Sequence, residues 1–206
     1  MNKQLTILGT ALLLGAATSA FAASSTDLTV TGTITPAACT PSLAGGGVFD
    51  YGKIAAKDLK PDAATPLGQK TLQLTVNCDA ETLFAIMPVD NRAESSTSPV
   101  RYGLGFINGD ERLGEYVLNF MNVIADTPSA ILQSSDGGVS WTDGNTAIYP
   151  GYLVAFGDST GIRVPHPLQD VRVDLRVSPF IAPTQNLTLT DEAQIDGSAT
   201  LQIVYL

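Results

Sequence analysis

The stretch Leu28-Thr29-Val30-Thr31-Gly32-Thr33-Ile34-Thr35 shows the pattern from which the fold class is read. Leu28, Val30, Gly32 and Ile34 alternate with four threonines. A period of two places the aliphatic set on one face of a half-buried strand and the threonines on the other. The same alternation recurs along the chain. Leu72, Leu74, Val76 and Cys78 share one face, as do Val171, Val173, Leu175 and Val177, and at the C-terminus Ala199, Leu201, Ile203 and Tyr205. Apolar runs over 48–54, 84–89, 116–124 and 152–156 add candidates. Turn clusters over 91–99, at Asn108-Gly109-Asp110 and at Asp136-Gly137-Gly138 separate them. No segment carries a sustained helical stripe. The expectation is an all-β chain folded as one immunoglobulin-like Greek-key sandwich.

Composition agrees. Of 206 residues, 44% are hydrophobic and only 15% are charged, against about 25% charged in an average soluble domain. The 19 glycines and 12 prolines suit many short strands and turns. A formal net charge of -9, with no stripe of Lys or Arg, argues against nucleic-acid binding, because phosphates would be repelled. The apolar content is ample for a core, which argues against disorder.

The first 22 residues read as an address. One positive charge at Lys3, an apolar stretch over 5–17 and the small-residue site Ala20-Phe21-Ala22 make up a secretory signal whose apolar part is too short to anchor in a bilayer. Removal of 1–22 leaves one expected domain over 23–206. No later stretch reaches the roughly 18 apolar residues of a membrane span, so the mature chain is expected to carry none. Export makes the cysteines informative: Cys39 and Cys78, the two in the chain, are expected to pair as one disulfide in an oxidising compartment. Closing that loop would stabilise the fold by roughly 4 kcal/mol. Two distant thiols and the lone His166 do not compose a four-ligand metal site, and no metal or cofactor is expected.

The segments LTVTGTITPAAC (28–39), FDYGKI (49–54), LQLTVNC (72–78) and SATLQIVYL (198–206), with its penultimate Tyr205, together resemble the pilin subunits assembled by the bacterial chaperone-usher pathway. In that family each immunoglobulin-like subunit lacks its final strand, and the N-terminal extension of a neighbour fills the groove left behind. The resemblance implies a donor strand over 27–36, with Leu28, Val30 and Ile34 as pocket-filling residues and Gly32 at the family's donor-strand glycine. It implies that Ala199, Leu201, Ile203 and Tyr205 form the strand that pairs with a periplasmic chaperone and later lines the acceptor groove. The implied partners are that chaperone, an outer-membrane usher and other pilin subunits. The implied location is the periplasm and then the cell surface, and the implied role is pilus formation and cell adhesion. Residues 91–181 match no pilin motif. CTPSLAGGGVFDYGKI (39–54) with SSDGGVSW (134–141) looks closer to an exported pilin-like family known only as domain of unknown function 1120, which carries no established activity.

Two other readings stay open: a glycan-binding adhesive module, suggested by Trp141, Tyr149 and Tyr152, and a self-contained periplasmic accessory protein with the same fold. Signs of catalysis are few. Ser134 to Trp141 fits the Asp-box pattern S-x-D-x-G-x-[ST]-W, which in sugar-active proteins is a structural turn. Gly157-Asp158-Ser159 resembles an esterase nucleophile block, but His166, flanked by Pro165 and Pro167, lacks the context that chemistry needs. No phosphate loop, dinucleotide fingerprint or metalloprotease motif occurs. The chain is expected not to be an enzyme.

Overall fold

A computed structural model describes residues 28–32, 38–144 and 147–206. The chain divides into two units, Met1–Ile34 and Thr35–Leu206. In the second, eight strands of five residues or more are described: β1 Cys39–Leu43, β2 Lys70–Thr82, β3 Phe84–Asp90, β4 Gly114–Ala125, β5 Ala130–Ser134, β6 Leu153–Asp158, β7 Leu168–Ile181 and β8 Ala199–Tyr205. All pairings are antiparallel.

Two sheets form. The first runs β1-β2-β7-β4 and ends on the short Ala147–Ile148 pair. The second begins at Thr142–Asp143 and runs β5-β6-β3-β8. The chain crosses repeatedly from one sheet to the other, and β7 returns between β2 and β4, which is Greek-key connectivity. Among the described residues no helix is long and apolar enough to cross a membrane.

The core lies where the alternating faces meet. Leu74, Val76 and Cys78 of β2, Val171, Val173, Leu175 and Val177 of β7, and Leu118 and Phe120 of β4 pack against Phe84 and Ile86 of β3 and Val154 and Phe156 of β6. Tyr102 is buried in this cluster beside Tyr116, ring centroids 5.1 Å apart, and donates its hydroxyl hydrogen to the Ile148 carbonyl at 3.1 Å. Burial raises the pKa of both phenols, keeping both neutral. Cys39 and Cys78 stand directly opposite in the β1/β2 ladder and are joined by the expected disulfide.

Most strands expected from the sequence are present, with longer ends. The alternation over 72–78 extends to Lys70–Thr82, and that over 171–177 to Leu168–Ile181. Two expectations change. The apolar run 48–54 is not a strand, because Asp50 Oδ1 accepts the Gly52 N–H at 2.7 Å and Gly52 takes a left-handed φ of 64°, so the chain turns where a ladder would need it extended. Over 28–32, the described part of the expected N-terminal strand, the segment forms no strand of its own. Leu28 and Val30 are each 88% exposed. Alternation supplies one apolar face, but a strand also needs a neighbouring backbone to bond. Ile34 lies outside the described residues.

Candidate functional site

A complete immunoglobulin sandwich closes with a last strand paired beside the strand before it. Here β8 bonds β3 on one side, and among the described residues no strand pairs with its other side. β1 is likewise the last strand of its sheet. The two edges therefore border a gap between the sheets. Its effect on burial is direct: Ala199, Leu201 and Ile203 pack against the core yet are only partly buried, whereas Phe84 and Ile86 on the neighbouring β3 are 4% and 1% exposed.

At one end the gap is bridged, since the Cys39 N–H donates to Tyr205 Oη at 3.0 Å. Away from that bond lies a hollow of about 380 Å³ whose walls include Leu43, Phe49, Tyr116, Leu175, Ala199 and Leu201. It continues into a second hollow of about 770 Å³ between the loop 49–56 and the segment 189–195, with Phe49, Tyr51 and Ile195 lining both. Gly197 borders the first hollow, and a Cβ there would sit 3.0 Å from both Leu104 and Tyr116. The absence of a side chain thus lets the backbone close on the core just before β8. The lips of the larger hollow are charged: Lys53 Nζ pairs with Glu192 Oε1 at 2.6 Å, and Lys70 bonds the Asp50 carbonyl and lies 4.8 Å from the centre of the Tyr51 ring.

An edge that carries no paired strand among the described residues, above apolar sockets, is suited to receive an extended chain whose alternate side chains are apolar. Ala199, Leu201, Ile203 and Tyr205 are therefore gathered on one edge, and the disulfide fixes the edge facing it. The loops 49–56 and 189–195 that lengthen the groove were not foreseen. Their one sequence signal was the apolar run Phe49 to Ile54, which fits a groove lip as well as a strand.

The Asp-box is a self-bonded hairpin between β5 and Thr142–Asp143. Asp136 Oδ1 accepts the Ser134 hydroxyl at 2.6 Å and the Ser140 N–H at 3.0 Å, while Ser134 Oγ accepts the Gly138 N–H at 2.8 Å. Hydrogen bonds from the Ser134 and Ser140 side chains hold the Asp136 carboxyl well below the usual range. Gly137 and Gly138 supply the φ values of 75° and 94° that the turn requires. Trp141 packs on Ala85, Leu153 and Ala155, and Tyr149 and Tyr152 stack edge to face at 5.4 Å. In these contacts the three aromatics pack within the protein.

Ser159 is not the serine that meets the histidine. His166 Nε2 lies 2.9 Å from Ser129 Oγ, and that hydroxyl donates to the Thr127 carbonyl at 2.7 Å. Asp158 Oδ1 is occupied by the Thr160 amide and hydroxyl, which lower its pKa. Nothing in the sequence marked Ser129. Among the described residues no group of three or more His, Cys, Asp or Glu is placed to hold a metal ion.

Fold and edge together define an all-β, disulfide-tied sandwich in which, among the described residues, the seam between β1 and β8 carries no covering strand. The family described as "Protein of unknown function (DUF1120)" matches residues 28–116, and this is the family that 39–54 resembles. The chain is also similar to two proteins of Escherichia coli (strain K12). One is "Uncharacterized protein YhcF", 28% identical over the whole of this chain and 99% of the relative. The other is "Protein GltF", 29% identical over 93% of each.

Proposed function

We propose that the protein is an exported, non-enzymatic structural subunit of the fimbrial type, assembled by strand complementation. The partly buried inner face of β8, beside an edge that carries no strand among the described residues, supports this reading most. The donor is the segment 27–36 of another copy or of a related subunit. Leu28, Val30 and Ile34 enter the sockets between β1 and β8, and Gly32 sits where the groove is shallow. Before assembly a periplasmic chaperone occupies the same edge, and an outer-membrane usher exchanges it for the donor. The product is a surface filament contributing to pilus formation and adhesion.

The test uses the mature chain and a form lacking 23–35. Deletion is expected to abolish assembly, and a synthetic peptide of residues 24–36 is expected to bind the shortened protein and raise its Tm. A shortened protein that assembles as well as the full chain, or a peptide that binds no better than one with Leu28 and Val30 replaced by Asp, would refute the proposal.

A further inference from the structure

The body of this protein carries a second apolar surface, away from the groove. We propose that it receives the groove-mouth loop of a second copy of this chain, so that contact between subunit bodies adds to the inserted strand. This rests on the strand-complementation reading.

The outer face of a two-layer sandwich normally meets water. On the second sheet it is instead apolar: Ala85, Leu153 and Ala155 are buried beneath Met87, Trp141 and Val204. Beside them is a hollow of about 670 Å³ walled by Leu83, Val139, Trp141, Ile162, Val164 and Leu206. Val139 and Ile162 are 86% and 85% exposed. Neither contributes to holding the monomer together, and clustered exposed aliphatics of this kind mark a docking surface.

Its place in the fold names the occupant. The Leu206 N–H bonds the Leu83 carbonyl at 3.1 Å, so the hollow adjoins the end of β8 where Tyr205 meets Cys39. The donor segment leads into Cys39, so this surface flanks the root of each subunit's own donor. The gap is bridged at that end and leads away into the mouth between 49–56 and 189–195. A donor inserted from a neighbour must connect to the neighbour's body through the open mouth, which makes it antiparallel to β8, like every other ladder in the protein. The root of one body then meets the mouth of the next. There Ile54, on the lip of the mouth, and Val48, just before that loop and 70% exposed, supply the matching apolar side chains. The contact is head to tail, so it propagates a chain and does not close a dimer.

Ile162→Asp with Val139→Asp should leave the Tm of the monomer and its affinity for the 24–36 peptide unchanged. The lifetime of assembled full-length chains should fall by about tenfold, the effect of losing roughly two apolar contacts. Copies carrying Ile162→Cys, mixed with copies carrying Ile54→Cys, should form a disulfide between unlike copies on assembly. Unaltered assembly with peptide binding retained would overturn the contact alone. Equal cross-linking of Ile162→Cys copies with themselves would overturn the head-to-tail geometry. Failure of the unsubstituted, shortened protein to bind the peptide would overturn the strand reading, and this contact with it.

Discussion

The sandwich has two seams, and they are built differently. On one side the sheets end in short pairs that cover the core, with Ala147–Ile148 on β4 and Thr142–Asp143 on β5. Gln133 Nε2 reaches across from the second sheet to the Ala147 carbonyl of the first, and Ile148 is fully buried in the core. On the other side β1 and β8 end their sheets with one bridging bond between them, Cys39 N–H to Tyr205 Oη. The apolar alternation of β8 is as regular as that of any inner strand, yet its inward residues stay partly exposed. A strand pattern therefore says which side chains seek a core, and the neighbouring edge decides whether they find one.

The largest expected effect tests what holds the open seam. Replacing Cys39 and Cys78 by Ala frees β1 and should cost about 4 kcal/mol, read from denaturant unfolding of the oxidised protein against the double variant. No covalent tie guards the closed seam, so there a cavity should dominate: Ile148→Ala is expected to cost about 3 kcal/mol, whether or not donor peptide is present. Leu201→Ala should behave differently. In the free protein it is expected to cost about 1 kcal/mol, because the side chain is only half withdrawn from water, and roughly twice that with the 24–36 peptide bound. Equal costs in the two states would mean that the seam is not where the peptide goes.

The smallest effect concerns the Asp-box near the closed seam. The folded-state pKa of Asp136 is depressed, so its contribution to stability is complete above the ordinary carboxylate range and is lost as pH falls through that range toward the folded value. Asp136→Asn should lower the Tm modestly at pH 7 and flatten its fall between pH 4 and pH 2. A variant with the wild-type acid profile would remove the box from the account.

Legibility in the sequence followed the same division. β2, β7 and β8 were readable because one face of each is apolar and the other polar. β5 was not, since Ile131 and Leu132 are adjacent and the strand is enclosed enough to blur its two faces. β1 was hidden by Pro41, which has no N–H to give and fits only an edge. The edge strand β8 of the candidate site was legible as an alternating strand residue by residue. The lips of the groove were not, because 49–56 and 189–195 are held by turns, a lysine–carbonyl bond and an ion pair between residues far apart in the chain. Such contacts leave no periodic trace.

The disulfide also settles how a pull would travel. Tension on the segment ahead of Cys39 enters the body at the first residue of β1. Without the covalent tie it would fall on the β1/β2 ladder alone. With Cys39 joined to Cys78, the load passes at once into β2, a strand bonded on both sides. The β2/β7 ladder then shares the load with the β1/β2 ladder. The same bond that stabilises the resting fold makes the root of the N-terminal segment a mechanical anchor.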